Sequence, residues 1–117
     1  MGRWDIPTST GAKRHRVTLQ RQEPGETDEY GQEQEVWADV ASYWALVEFR
    51  EGKIADSGRG LYERTGLITL RYIGEIAAGT HRFLFGSRVL HITAVEDVLD
   101  RHRELRINYR ELEGEAP

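Results

Sequence analysis

The sequence lacks three features that would each define a class of protein. It has no cysteine, which excludes disulfide bonds, thiolate metal sites and cysteine nucleophiles. No apolar run approaches the roughly 20 residues of a membrane-spanning helix, so no such helix is expected. The segment Met1–Pro7 has no apolar stretch of the kind found in signal peptides, so we expect the chain to begin in the cytoplasm.

The length of 117 residues and mass of 13.5 kDa predict one domain with one core. A chain of this size buries about two-thirds of the surface that it exposes when unfolded. We expect a single domain over residues 13–112. Pro, Gly, Ser and Thr, which favour turns and loops, are concentrated before it, and Glu and Gly are concentrated after it. Residues 1–12 and 113–117 are predicted to be mobile tails that order on a partner.

Lysine is scarce, and the positive charge, which is outnumbered by negative charge, is supplied almost entirely by arginine. The net charge is −4, which disfavours a general DNA-coating protein because the field of the chain repels phosphate. Fourteen of the 16 basic residues are Arg. This bias suits bidentate contacts at interfaces, and the codon bias of a GC-rich genome explains it equally well.

The two signs of charge are separated along the chain. Lys13, Arg14 and Arg16 form a basic cluster, whereas residues 23–48 contain no Lys or Arg and eight acidic residues. One interpretation is a solvated face. The other is a head-to-tail contact between copies, which closes rings. The candidate inter-subunit residues are Lys13, Arg14, Arg16, Glu33, Glu35 and Asp39.

Alternation of apolar and polar residues is the dominant pattern and predicts an all-β fold. Leu105, Ile107 and Tyr109 give the clearest inward face, and Gly86 marks a tight hairpin turn. About six short strands favour a small antiparallel β-barrel with one long loop and little helix, since closure protects strand edges. The predicted strand segments are His15–Glu23, Ser42–Phe49, Leu67–Tyr72, Arg82–Phe85, Arg88–Val95 and a last strand around Leu105–Tyr109.

One segment, Arg50–Thr65, fits no strand pattern. It carries three glycines and alternating charges, and long loops in compact domains are often functional. Within it Gly60–Arg64 is a candidate for a short helix, and a turn is expected at Glu96–Asp100.

No constellation of catalytic or cofactor-binding residues is present. His15, His81, His91 and His102 fall on separate predicted strands, and His91 is better explained as a hydrogen-bonded residue of the sheet than as a metal ligand. The segment Ser57–Gly60 lacks the ending of a phosphate-binding loop, and Asp97 with Asp100 is typical of an acidic turn. We therefore expect no enzyme activity, no cofactor and no metal.

The aromatic residues allow two interpretations. A cluster of Trp, Tyr and Phe is able to form a base-stacking platform, as in nucleic-acid-binding barrels. Such platforms lie among basic residues, whereas Trp37 and Trp44 lie in the acidic stretch. Roles in the core or in a protein interface are therefore favoured.

An ordered set of short segments resembles the head-tail joining proteins of tailed bacteriophages. The set extends from Lys13 to about Arg110. It comprises Arg14–Gln20, Asp28–Gly31, Trp37–Ala41, Trp44–Glu48, Leu70–Tyr72, Arg82–Phe83, Gly86–Ile92, Val95–Asp97 and Arg103–Leu105.

The resemblance implies a head-closure or connector protein of a phage, a prophage or a gene transfer agent. It implies a dodecameric ring of β-barrels in the virion neck, assembled in the bacterial host cytoplasm. Such a ring lies beneath the portal and its adaptor, retains packaged double-stranded DNA and presents a surface to the tail. Two departures are evident: Phe49–Lys53 replaces a Gly-x-Glu element that relatives often carry, and the segment before Lys13 is longer than usual.

The resemblance places the Arg50–Thr65 segment in the lumen of that ring as one hypothesis. There Arg50, Lys53, Arg59 and Arg64 would meet DNA phosphates. The alternative is that the segment packs outside against a neighbouring copy. Two other functions stay open at this stage, a tail-terminator ring and a nucleic-acid-binding barrel with an OB-like fold.

Overall fold

The computed structural model describes residues 13–54 and 62–117, and this part of the chain is nearly all strand. The only helical element in it is a short 3₁₀ helix, Val98–Asp100, inside the predicted turn. The all-β prediction is confirmed. The six strands are β1 (His15–Thr27), β2 (Glu33–Ile54), β3 (Tyr62–Arg71), β4 (His81–Phe85), β5 (Arg88–Asp97) and β6 (Glu104–Leu112).

The six strands close into a ring in the order β1-β2-β3-β6-β5-β4, and every neighbouring pair is antiparallel. The ring is closed by a short ladder between Thr18–Arg21 of β1 and β4. Closure gives the backbone groups of the barrel wall partners on both sides, so this part of the sheet has no free edge.

The core lies inside the ring and is built by alternate residues of each strand. Val17 and Leu19 of β1 are fully buried, as are Ile107 and Tyr109 of β6 to within 1%. This confirms the inward face predicted for β6. The remaining core side chains are Ala45, Ile68, Leu70, Phe83, Leu90, Ile92 and Leu105.

The β4–β5 hairpin forms as the sequence predicts. Phe85 pairs with Arg88, so Gly86 and Ser87 make a two-residue turn. Gly86 has φ of +63°, a conformation that glycine adopts without steric cost.

Strand β2 is longer than its apolar pattern indicates and extends past both ends of the barrel. Bulges interrupt its pairing at Val40, opposite β1, and at Arg50, opposite β3. Tyr43, Ala45 and Val47 face the core. Phe49 continues the same alternation but is 59% exposed, because β2 has already passed the point where β1 begins to pair at His15.

The segment predicted as a long loop requires a correction. Residues 51–54 of β2 pair with 62–65 of β3, and Arg50 is the extra residue of the bulge, so 50–54 and 62–65 form a hairpin. Residues 63–65 also pair with 110–112 of β6, so the described part of this hairpin belongs to a three-stranded sheet. Its side chains are exposed or half-buried and none belongs to the core, so no apolar alternation marks it in the sequence. The helix expected at Gly60–Arg64 is also wrong for Tyr62–Arg64, which belong to β3, while Gly60 lies outside the described residues.

Across residues 13–54 and 62–117, no helix has the length and apolar character needed to cross a membrane.

Candidate assembly and DNA-contact surfaces

Two hairpins project from opposite ends of the barrel because both are built on β2. The first, here called the acidic hairpin, comprises residues 22–36 and joins β1 to β2. Beyond Gln22 strand β1 has no ladder with β4, so this part stands clear of the barrel wall. Its charged groups are all acidic: Glu23, Glu26, Asp28, Glu29, Glu33 and Glu35.

The tip of the acidic hairpin is an ordered turn. One carboxylate oxygen of Asp28 accepts hydrogen bonds from the backbone amides of Tyr30 and Gln32, both at 2.9 Å. Gly31 has φ of +81° and donates its amide to the Asp28 carbonyl at 3.1 Å. These bonds hold the Tyr30 ring, 82% exposed, at the end of the hairpin.

Asp39, one of the predicted inter-subunit residues, takes part in a network within its own chain. Gln20 donates to the Asp39 carboxylate at 2.8 Å, and the Arg82 Nε donates to Gln20 at 2.8 Å. The Arg82 guanidinium lies 4.4 Å from the centre of the Trp37 ring. Burial lowers the pKa of Arg82, and the carboxylates of Glu115 and Glu35 partly oppose this shift. The network secures the base of the acidic hairpin.

The basic end of the barrel lies where β1 begins. The Lys13 ammonium is 3.3 Å from a Glu104 carboxylate oxygen, and both side chains are at most 5% exposed. Lys13 is therefore part of the folded barrel, whereas Arg14 and Arg16 of the predicted basic cluster are exposed.

Beside this ion pair is an open depression of about 420 Å³, here called the Trp44 groove. Arg16 pairs in register with Trp44, and its guanidinium lies 5.0 Å from the centre of the indole ring. Trp44 is 57% exposed although it is among the largest apolar side chains of the molecule. The lining residues are Lys13, Arg16, Ser42, Tyr43, Trp44 and Arg71.

The second projection, the β2–β3 hairpin, contains the residues predicted to contact DNA. Arg50 and Lys53 are exposed on β2, Arg64 is partly buried on β3, and Arg59 lies outside the described residues. Arg64 is 4.0 Å from Glu111 and 5.4 Å from the centre of the Tyr62 ring, so it contacts the barrel. The structure thus places Arg50 and Lys53 exposed on β2, whereas Arg64, opposite Gly52 on β3, contacts β6.

Glu111 is the centre of a charge cluster beside the β2–β3 hairpin, where it pairs in register with Arg64 of β3. Its side chain is only 5% exposed and accepts two hydrogen bonds from Arg88. The bond to Glu111 raises the pKa of Arg88. Tyr109 lies beside the cluster, and burial raises the pKa of its phenol, while the Arg88 charge opposes that shift.

The histidines have separate local partners in the described residues. His91 contacts the Glu115 carboxylate at 2.8 Å, which confirms it as a hydrogen-bonded residue of the sheet. His102 contacts Asp97 at 2.6 Å in the turn after β5. Ligand-type atoms of Asp97, Asp100 and His102 come within 4.8 Å of one another there, on an exposed surface.

Sequence reasoning missed the Trp44 groove and the Glu111 cluster. Both depend on strand register: Arg71 and Arg88 are far in sequence from the residues that they join. The exposed Trp44 was detectable only as a bulky residue on the outer side of the β2 alternation.

A closed barrel that carries an acidic arm, an arginine-rich aromatic groove and a second exposed hairpin has the surfaces of an assembly protein. The model of the phage head completion protein family matches residues 8–112, and the chain belongs to that family. The predicted resemblance to head-tail joining proteins is thereby confirmed, and the chain is a structural head-tail protein of the virion.

Solved structures agree with the fold. The chain is similar to a chain in the virion of a native gene transfer agent particle, with a TM-score of 0.68, 23% identity, and coverage of 85% of this chain and 94% of that one. It is also similar to a protein from Shigella flexneri 2a solved in solution, with a TM-score of 0.59, 27% identity, and coverage of 89% and 96%. Among the curated proteins no match is found.

Proposed function

We propose that the chain forms the head-closure ring of the virion neck, the adaptor that joins the portal complex to the tail. The observation that carries the proposal is the family match over residues 8–112. The placement of two hairpins at opposite ends of one barrel supports it, because a connecting protein needs separate surfaces for neighbours on different sides.

The proposed position in the neck determines the partners. Copies of the chain form a homo-oligomeric ring, with the portal and its adaptor above, tail-terminator or tail proteins below, and double-stranded DNA in the lumen. The particle is assembled in the host cytoplasm, and the chain acts through binding rather than catalysis.

For the DNA contact we assign the β2–β3 hairpin to the lumen. Arg50 and Lys53 are exposed on β2, so both are available to phosphate oxygens. Arg64 forms an ion pair with Glu111 and supports the hairpin. Arg59, which lies outside the described residues, is the fourth cation of the segment. Glu51 and Glu63 offset part of this charge, which favours a gating role over strong binding.

For the contact between copies we assign the exposed arginines Arg14 and Arg16 to one side and the exposed carboxylates Glu33 and Glu35 to the other. Lys13 and Asp39 support these surfaces from within their own chain, through Glu104 and Gln20.

Electron microscopy of particles from a producing strain that lacks the gene tests the joining role. Separate heads and finished tails are expected, with empty heads among them if the ring also retains DNA. Normal infectious particles would overturn the proposal. Heads with overlong tail tubes would show a tail terminator instead, and salt-dependent binding of short single strands by the free chain would favour the nucleic-acid-binding barrel.

DNA retention is tested separately by the double variant Arg50→Gln/Lys53→Gln. The matched control is Arg101→Gln/Arg103→Gln. It removes two exposed cations just before β6, at the end of the β3–β6 ladder that is far from Lys53. Particles with the first variant should lose packaged DNA faster in a nuclease-accessibility assay than particles with the control. Equal DNA retention in both would exclude this hairpin from DNA contact.

A further inference from the structure

Building on the proposed ring, we propose that the tip of the acidic hairpin of one copy docks into the Trp44 groove of the next copy. The partner of the groove is thus a second copy of this chain, and the recognised element is an aromatic side chain flanked by carboxylates.

The groove has the composition of a binding hot spot. Arg16 lies against the Trp44 indole at 5.0 Å, and the same ring is 57% exposed to solvent. Tryptophan and arginine are enriched at the interface positions where truncation to alanine causes the largest loss of affinity. Arg71 lines the groove on the β3 side, so the indole has an arginine on each flanking strand.

The hairpin tip has the complementary chemistry. Tyr30 is 82% exposed, and Glu29 and Glu33 on either side of the turn are exposed carboxylates. Carboxylates suit bidentate pairing with arginine, and a tyrosine ring suits packing on a guanidinium or an indole.

The tip is also ordered before any partner arrives. The Asp28 carboxylate accepts hydrogen bonds from two backbone amides, both at 2.9 Å, so the turn that presents Tyr30 is fixed within a single chain. A pre-ordered element loses less conformational entropy on binding than a flexible loop does.

The two surfaces lie at opposite ends of the β1–β2 ladder, which makes the contact head-to-tail. Ser42 in the groove pairs with Thr18 near the start of β1, whereas the tip follows Thr27. Twelve residues of chain separate Tyr30 from Ser42, about 40 Å at the rise of a β-strand. A chain cannot fill its own groove with its own tip, and a repeated heterologous contact of this kind closes a ring.

Cysteine cross-linking tests the contact directly, because the chain has no native cysteine. A disulfide needs Cα atoms within about 7 Å, so the variant Glu29→Cys/Ser42→Cys bonds only between chains. Particles that carry this variant should give a ladder of cross-linked multimers on a non-reducing gel. Glu29→Cys/Glu96→Cys, with the second cysteine exposed on β5, is the control and should stay monomeric.

A ladder in the first variant alone supports the contact, and incorporated chain without a ladder overturns it. Failure of the proposed function would give a different result. In that case particles made without the gene would still join heads to tails normally.

A charge exchange gives an independent measurement. Arg16→Glu/Arg71→Glu and Glu29→Arg/Glu33→Arg should each reduce incorporation into particles at least tenfold, with folding confirmed by circular dichroism of the purified chains. Combining all four changes in one chain should restore most of the incorporation, because the exchanged charges attract again. If the combined variant is as defective as the two separate ones, the tip does not bind the groove.

Discussion

Arg88 and Glu111 are joined by two parallel hydrogen bonds, from Nε to Oε2 at 2.8 Å and from a terminal guanidinium nitrogen to Oε1 at 2.7 Å. The two side chains differ in exposure, at 40% for Arg88 and 5% for Glu111. The buried carboxylate therefore depends on an arginine that reaches it from the surface. This pair joins the β4–β5 turn to the end of β6, which runs beside Arg64 of the β2–β3 hairpin.

Replacing Arg88 by Met should destabilise the barrel by about 2 kcal/mol. Removing one member of a buried ion pair costs about 3–5 kcal/mol, and the partial exposure of Arg88 reduces that cost. The measurement is urea unfolding of the purified chain. The control Arg64→Met, which removes a longer contact of 4.0 Å to the same carboxylate, should cost less than about 1 kcal/mol. Equal losses would show that Glu111 depends no more on Arg88 than on Arg64.

The free energy of unfolding should fall as pH rises above the ordinary tyrosine pKa of 10.0, because burial raises the pKa of Tyr109 in the folded state. Above pH 10 the unfolded chain releases this phenolic proton while the folded chain keeps it, so alkali favours unfolding. The slope is at most about 1.4 kcal/mol per pH unit for one group. Urea unfolding between pH 9 and 11 should show this extra slope in the wild type but not in Tyr109→Phe. Parallel curves for the two proteins would contradict the prediction.

Gly66→Ala should destabilise the chain by about 2–3 kcal/mol, because a Cβ there would lie 2.5 Å from carbons of the buried Tyr109 ring and against the Glu48 carbonyl oxygen. Neither the backbone of β2 nor a core ring moves easily. Gly74→Ala is the control, since its nearest neighbour is the Tyr72 hydroxyl at 4.0 Å, and it should change stability by less than about 0.5 kcal/mol. Thermal unfolding separates the two variants.

Asp28→Ala should loosen the hairpin tip without unfolding the barrel, because it removes the acceptor of two backbone amides. The exposed Tyr30 then becomes a better chymotrypsin site, and cleavage after it should be several-fold faster than in the wild type. Asp28→Asn keeps the acceptor oxygen and should be cleaved nearly as slowly as the wild type. Faster cleavage of both variants would assign the effect to charge rather than to the turn.

The barrel was predictable from sequence because its inward faces obey a strict alternation. Leu105, Ile107 and Tyr109 alternate with polar residues, and Gly86 marks a turn that needs positive φ. These are local signals, and each depends on residues one or two positions apart.

The projecting parts were not predictable in the same way. Residues 50–54 and 62–65 pair as strands without a buried face, so no hydrophobic alternation records them. The partner of Lys13 is Glu104, far away in sequence, and only the closed barrel brings the two together. The partner of Asp39 is Gln20, which the register of the β1–β2 ladder places opposite it. The sequence showed that the charges are separated but not which of them the barrel itself uses.

Strand β2 contributes one strand to each of the two hairpins, so the length of each hairpin can vary independently of the other. Adding one residue to each arm at a tip keeps every core side chain in register and extends the projection by about 3.3 Å. A single residue inserted in the barrel portion would instead turn one end of β2 inside out, unless a bulge such as that at Val40 absorbed it. The reach of each hairpin can thus change without any change in the barrel between them.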